Sequence, residues 1–170
     1  MRRTPFVLLP LAAALAALPV YGQEAGATAT FIDSAGEEIG TASLTEAETG
    51  VLIEIEVSGL PGGGWLAFHV HEHGMCDPAE GHESAGDHFN PGDAAHGLLA
   101  GGGPHAGDMP NQYVPDDGVL RAHVFNAMVS LDGEENGIRG RALMLHAQGD
   151  DYVTQPSGDA GERLACAVIE

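Results

Sequence analysis

Residues 51–57, VLIEIEV, place Val51, Ile53, Ile55 and Val57 at every second position, with acidic residues at 54 and 56 between them. A period of two puts the aliphatic side chains on one face of an extended strand and the carboxylates on the other. The same short-run character recurs in ATATFID, IGTASLTE, WLAFHVH, GVLRAHVFNAMVSL, GRALMLHA and LACAVIE. Turn residues separate these runs, at Ala35-Gly36, at Glu48-Thr49-Gly50 and at LPGGG. No stretch carries the long 3.6-period apolar stripe of an amphipathic helix. Short strands joined by Gly- and Pro-rich turns predict an all-β antiparallel sandwich or barrel.

The first 22 residues are expected to stand apart from that domain. Arg2 and Arg3 lead into FVLLPLAAALAAL and then small residues near Gly22. A basic start, a short apolar core and small residues at a cut site predict an export signal, too short for a comfortable membrane span. One domain is expected over residues 23–170. Without residues 1–22, four arginines (Arg121, Arg139, Arg141, Arg163) face 25 acidic residues, a net charge of −21 against −19 for the full chain, and there is no lysine. Such a surface excludes a general nucleic-acid or anionic-membrane binder, since both require positive charge. It suits a soluble exported protein, and also a saline medium in which counter-ions screen self-repulsion. Two cysteines, Cys76 and Cys166, in an exported chain favour one disulfide, with two buried thiols as the alternative.

Residues 72–118 break the pattern. They hold ten glycines, several prolines and little periodicity across 47 positions. A structureless run of that length inside a compact domain needs some restraint other than sheet pairing. Metal ligation supplies one, because the histidines of this chain are not scattered. HVH offers His69 and His71 from one strand face, where alternate residues lie ~7 Å apart. The long stretch offers His88, His96, His105 and Asp108 in a His-x₇-His-x₈-His-x₂-Asp run, and a late strand offers His146. Imidazoles suit copper and zinc, and a mixed histidine–aspartate set suits zinc.

The pieces AFHVHEHG, SAGDHFNP, HGLLAGGGPHAGDMPN, LMLHAQGDDY and GDAGERLACAVI, in that order, resemble the exported bacterial copper–zinc superoxide dismutases from about residue 27 to the C-terminus. The resemblance implies an eight-stranded antiparallel Greek-key β-barrel with two long functional loops. It implies one copper and one zinc ion per chain. His69, His71, His88 and His146 would ligate copper; His88, His96, His105 and Asp108 would ligate zinc, with His88 bridging. Arg163 would stand beside the open copper side and hold superoxide, a small anion, through a guanidinium that is always charged. Cys76 and Cys166 would form the family's disulfide, and Asp150 would join a copper histidine to a zinc histidine. The same resemblance implies a periplasmic protein, monomeric or homodimeric, that turns two superoxide anions into dioxygen and hydrogen peroxide.

Three histidines fall outside this set. His73 continues the alternation but precedes Gly74, and is expected to be a non-ligand. His82 is expected to be solvated in the disulfide loop, and His123 to face away from the metals. Two other function classes compete. A metal buffer without turnover would not need Arg163 beside a complete ligand set. A zinc hydrolase of the His-Glu-x-x-His kind fails because position 75 is methionine.

Overall fold

The computed structural model describes residues 26–170; the expected export signal lies outside the described residues. Nine short strands follow in order: β1 Gly26–Asp33, β2 Glu38–Ala47, β3 Gly50–Val57, β4 Gly64–Leu66, β5 Phe68–His71, β6 Gln112–Val114, β7 Leu120–Asn126, β8 Ala142–His146 and β9 Arg163–Val168. β4 and β5 are one extended run interrupted at Ala67, so the described residues make eight runs. Among the described residues the helical pieces are two 3₁₀ turns, Pro78–Glu80 and Glu83–Ala85, and no helix is long and apolar enough to cross a membrane.

Seven strands pair antiparallel in the order β5-β8-β9-β1-β2-β3-β7, and β4 pairs with β6. The curled sheet returns on itself through chain continuity: β4 runs into β5 at one edge, and β6 leads through a turn into β7 at the other. β3 and β7 are neighbours despite the 62 residues between Val57 and Leu120, the long return connection of a Greek key. β3 shows the predicted alternation, with Val51, Ile53, Ile55 and Val57 buried. They join Phe31, Leu44, Phe68, Val70, Leu143, Leu145, Ala165 and Ile169 in a single apolar core.

β5 and β8 depart from alternation, for all their residues are buried. Phe68 and Val70 face the core, while the side of His69 and His71 is roofed by the long connections 72–111 and 147–162. The first connection is pinned on β5 by Val70 N–H to the Gly107 carbonyl (2.9 Å) and by Phe89 N–H to the Val70 carbonyl (2.8 Å). Arg141 adds a clamp: Nη1 donates to the Glu72 carbonyl (2.8 Å) and its guanidinium lies 3.7 Å over the Phe89 ring. Cys76 and Cys166 form the disulfide, across 90 positions, and pack with Ala85, Ala142 and Met144 on the outer side of β8 and β9.

Three sequence expectations change here. Residues 72–118 are not wholly irregular, since they contain β6 and both 3₁₀ turns. The run GVLRAHVFNAMVSL is a strand only over Leu120–Asn126. His82 is not solvated: it is fully buried, in a left-handed conformation (φ 62°), as the first connection folds back under Arg163.

Candidate metal centre

β5 supplies His69 and His71, β8 supplies His146, and the first connection supplies His88, His96, His105 and Asp108. All seven are buried, none more than 8% exposed. They form two sets. His69, His71, His88 and His146 each bring a donor atom within 4.8 Å of the others, and so do His88, His96, His105 and Asp108. His88 belongs to both, directing Nδ1 to Asp108 Oδ1 (2.9 Å) and leaving Nε2 toward the first set.

The partner of one ring nitrogen fixes what the other can offer. A carbonyl only accepts, so His71 Nδ1–H donates to Gly86 (2.9 Å) and His146 Nδ1–H points at Gly161 (3.5 Å), which turns the lone pair of each Nε2 inward. Those two Nε2 atoms lie 3.3 Å apart. On the other side, Asp150 accepts from His69 Nε2 (2.9 Å) through Oδ2 and from His96 Nε2 (3.1 Å) through Oδ1. That leaves a lone pair on Nδ1 of each ring: His69 Nδ1 has no hydrogen-bond partner, and His96 Nδ1 faces Asp108 Oδ1 at 3.1 Å. Asp150 thus joins the two sets, as expected for a carboxylate that orients metal-binding imidazoles.

Electrostatics keeps these lone pairs available. Burial, then the neighbouring His88, pushes His69 and His71 well below the ordinary histidine range. The same causes hold His146 at about 4, and burial lowers His105 as well. Burial alone would raise Asp108. Hydrogen bonds from His88 and from the Gly97 amide outweigh it and hold that carboxyl at about 2. The downward shifts of His69, His71, His105 and His146 favour the deprotonated imidazole that a cation requires.

A metal fits these residues on a further ground. His69 Nδ1, His88 Nε2 and His105 Nδ1 are buried with no hydrogen-bond partner. Burying one such atom unsatisfied costs ~1–3 kcal/mol. Three in one cluster mark positions meant for another ligand-holding partner.

A cavity of about 500 Å³ opens beside the first set, lined by His71, His88, His146 and Arg163 together with Glu72, Glu83, Asp87 and Glu162. Arg163 therefore stands at that opening. Its Nη1 donates to the His82 carbonyl (2.8 Å) and its Nη2 to the Gly86 carbonyl (2.9 Å). Gly86 thus holds both Arg163 and His71. The leftover histidines stay apart from both sets: His73 is exposed beside Glu72 (3.8 Å), and His123 is exposed on β7 beside Glu54 (3.4 Å).

Several supports were not read from the sequence. Asn111 grips the backbone of Asp150 from both sides, accepting from its N–H (2.8 Å) and donating to its carbonyl (2.8 Å). Gln155 does the same for His96 (2.8 Å each way). Gly158 has φ +69° and lies so close that a Cβ there would overlap Asp150 Oδ1. All three belong to stretches without periodicity, where only the folded geometry reveals a partner.

The comparisons with known proteins agree with this geometry. The family description Copper/zinc superoxide dismutase (SODC) matches residues 38–169. Superoxide dismutase (Cu-Zn) 2 of Aquifex aeolicus is 48% identical over 153 residues, 88% of this chain and 89% of the relative. The crystal structure of a SOD-like protein from Bacillus subtilis superposes with a TM-score of 0.78 at 34% identity, over 82% of this chain and 95% of that one. The Cu/Zn superoxide dismutase from Brucella abortus gives a TM-score of 0.71 at 31% identity, over 86% of this chain and all of the other.

Proposed function

Since the chain belongs to the copper/zinc superoxide dismutase family, an oxidoreductase family whose two metals suit its two histidine-rich sites, we propose a division of labour among the residues of its centre. His69, His71, His88 and His146 hold copper, and His88, His96, His105 and Asp108 hold zinc. The observation that carries this division is His88, whose two ring nitrogens face one set each. Three members of the all-histidine set, His71, His88 and His146, line the cavity, whereas the other set reaches it through His88 and His105 and keeps His96 and Asp108 away from it. Copper supplies a reversible one-electron change that zinc lacks, so the more open set is the redox side.

The chain's own groups then act on a small anion. Arg163 offers guanidinium hydrogens at the cavity wall and holds superoxide beside His71, His88 and His146. Two superoxide anions and two protons become dioxygen and hydrogen peroxide, so one electron passes from the first anion to the second. His88 Nε2, facing the cavity side, is the atom that can take a proton and return it. Asp150 and the carbonyls of Gly86 and Gly161 keep the imidazoles from turning during the cycle.

The disulfide supports an oxidising, extracytoplasmic setting. Within that setting, residues 1–22 serve as a signal peptide removed on delivery to the periplasm, leaving one domain over 23–170.

The division is tested by metal analysis of two variants. His146→Ala should lose copper and keep zinc, and His105→Ala the reverse. Loss of the same ion from both would overturn the assignment.

A further inference from the structure

The cavity beside the redox side holds a feature that works against its use. Four carboxylates line it, from Glu72, Glu83, Asp87 and Glu162, against the single guanidinium of Arg163. Of these four, Glu83 pairs with that guanidinium: its Oε2 lies 3.3 Å from Arg163 Nη2. Arg163 is largely enclosed, its side chain 12% exposed, whereas the Glu83 side chain is 72% exposed and free to swing.

A guanidinium has five N–H groups in a fixed fork. Nη1 spends one on the His82 carbonyl and Nη2 spends one on the Gly86 carbonyl. One hydrogen remains on Nη2, and that is the nitrogen Glu83 approaches. The grip is local to a single turn. His82, Glu83 and Gly86 all belong to it, and it is closed by Ala85 N–H to the His82 carbonyl (3.1 Å) and Gly86 N–H to the Glu83 carbonyl (3.0 Å). The turn that positions Arg163 therefore also carries an anion to it.

We propose that Glu83 is a tethered competitor for the substrate: its carboxylate lies against the Arg163 nitrogen that a small anion would use, and it must swing aside before superoxide binds. The inference rests on Arg163 being the anion-holding group. Glu83 lowers affinity for small anions as a class, so it affects kcat/KM at low superoxide more than the maximal rate. Because the pair is half in solvent, the effect is modest, on the order of two- to fivefold.

The test is a double-mutant cycle on the copper- and zinc-loaded protein, with Glu83→Gln, Arg163→Ala and the pair. Two quantities are read: kcat/KM for superoxide, and the Kd of azide from the change in the visible copper band. Glu83 is exposed, so Glu83→Gln should fold as wild type. Glu83→Gln should raise kcat/KM and tighten azide binding by about two- to fivefold, and should change neither in the Arg163→Ala background. If Glu83→Gln changes neither quantity while Arg163→Ala lowers kcat/KM and raises the azide Kd, the competitor is overturned and the role of Arg163 stands. An equal gain in both backgrounds would show that Glu83 acts through the general field, which also overturns it. If Arg163→Ala changes neither quantity, the role of Arg163 fails and the competitor fails with it.

Discussion

At Asp150 a single carboxylate sets the direction of two imidazoles, taking His69 Nε2–H on one oxygen and His96 Nε2–H on the other. Each ring is left with one nitrogen to give, and the two point into different sets. Asp150→Asn keeps the size but can accept on one atom only, so one ring loses its anchor. Metal affinity should then fall by about 10–100-fold, the usual consequence of losing a group that orients a ligand. Competition with a chelator measures it, and unchanged affinity at both sites would show that the rings are held by packing alone. The histidines and Asp108 were legible in the sequence because ligand residue types at those spacings have few other uses. Asp150 was legible only through resemblance. Glu83, Asn111 and Gln155 were not legible at all, since a polar residue in an aperiodic loop has no pattern to betray its partner.

Strands and loops divide the work. β5 holds two histidines that alternation made readable, and β8 adds a third from an apolar run. Their outer face reads as half-polar but is buried, because the long connections cover it. That cover explains His82. Loop composition suggested solvent, yet the loop is stapled at Cys76 and folds its histidine fully inside. Burial lowers the His82 pKa, with Arg163 acting the same way and the Asp33 backbone, Asp33 and Asp77 opposing. A histidine lowered in the folded state binds fewer protons than the unfolded chain does. Its stabilisation is therefore complete above the unfolded value near 6.5 and is lost as pH falls toward the folded value. His82→Gln should reduce the loss of thermal stability between pH 7 and pH 5 relative to wild type, read as the difference in Tm between the two pH values. An identical pH slope in both proteins would contradict this.

The whole molecule is an acidic body with a cation-poor entrance. At a net charge of −19, its long-range field repels the anion it consumes. Attraction must come from within the cavity, over distances shorter than the ~10 Å Debye length at 0.1 M salt. Added salt should therefore leave turnover flat or raise it, by screening the repulsion more than the local attraction. Stopped-flow rates across ionic strengths test this, and a steep fall with salt would reveal a positive steering field that the charge distribution does not contain. Composition displayed this charge balance at once, whereas the closing of the barrel by β4, β5 and β6 depended on contacts between distant segments. What joins the scales is the pair of candidate metal sites, which ties to the strands a loop that the disulfide, Arg141 and the Val70 backbone also hold. Metal content and dismutation measured on one sample test that most directly. One copper and one zinc per chain, with superoxide consumed far faster than in buffer, is the predicted result; a chain carrying both ions that consumes superoxide no faster than buffer would contradict it.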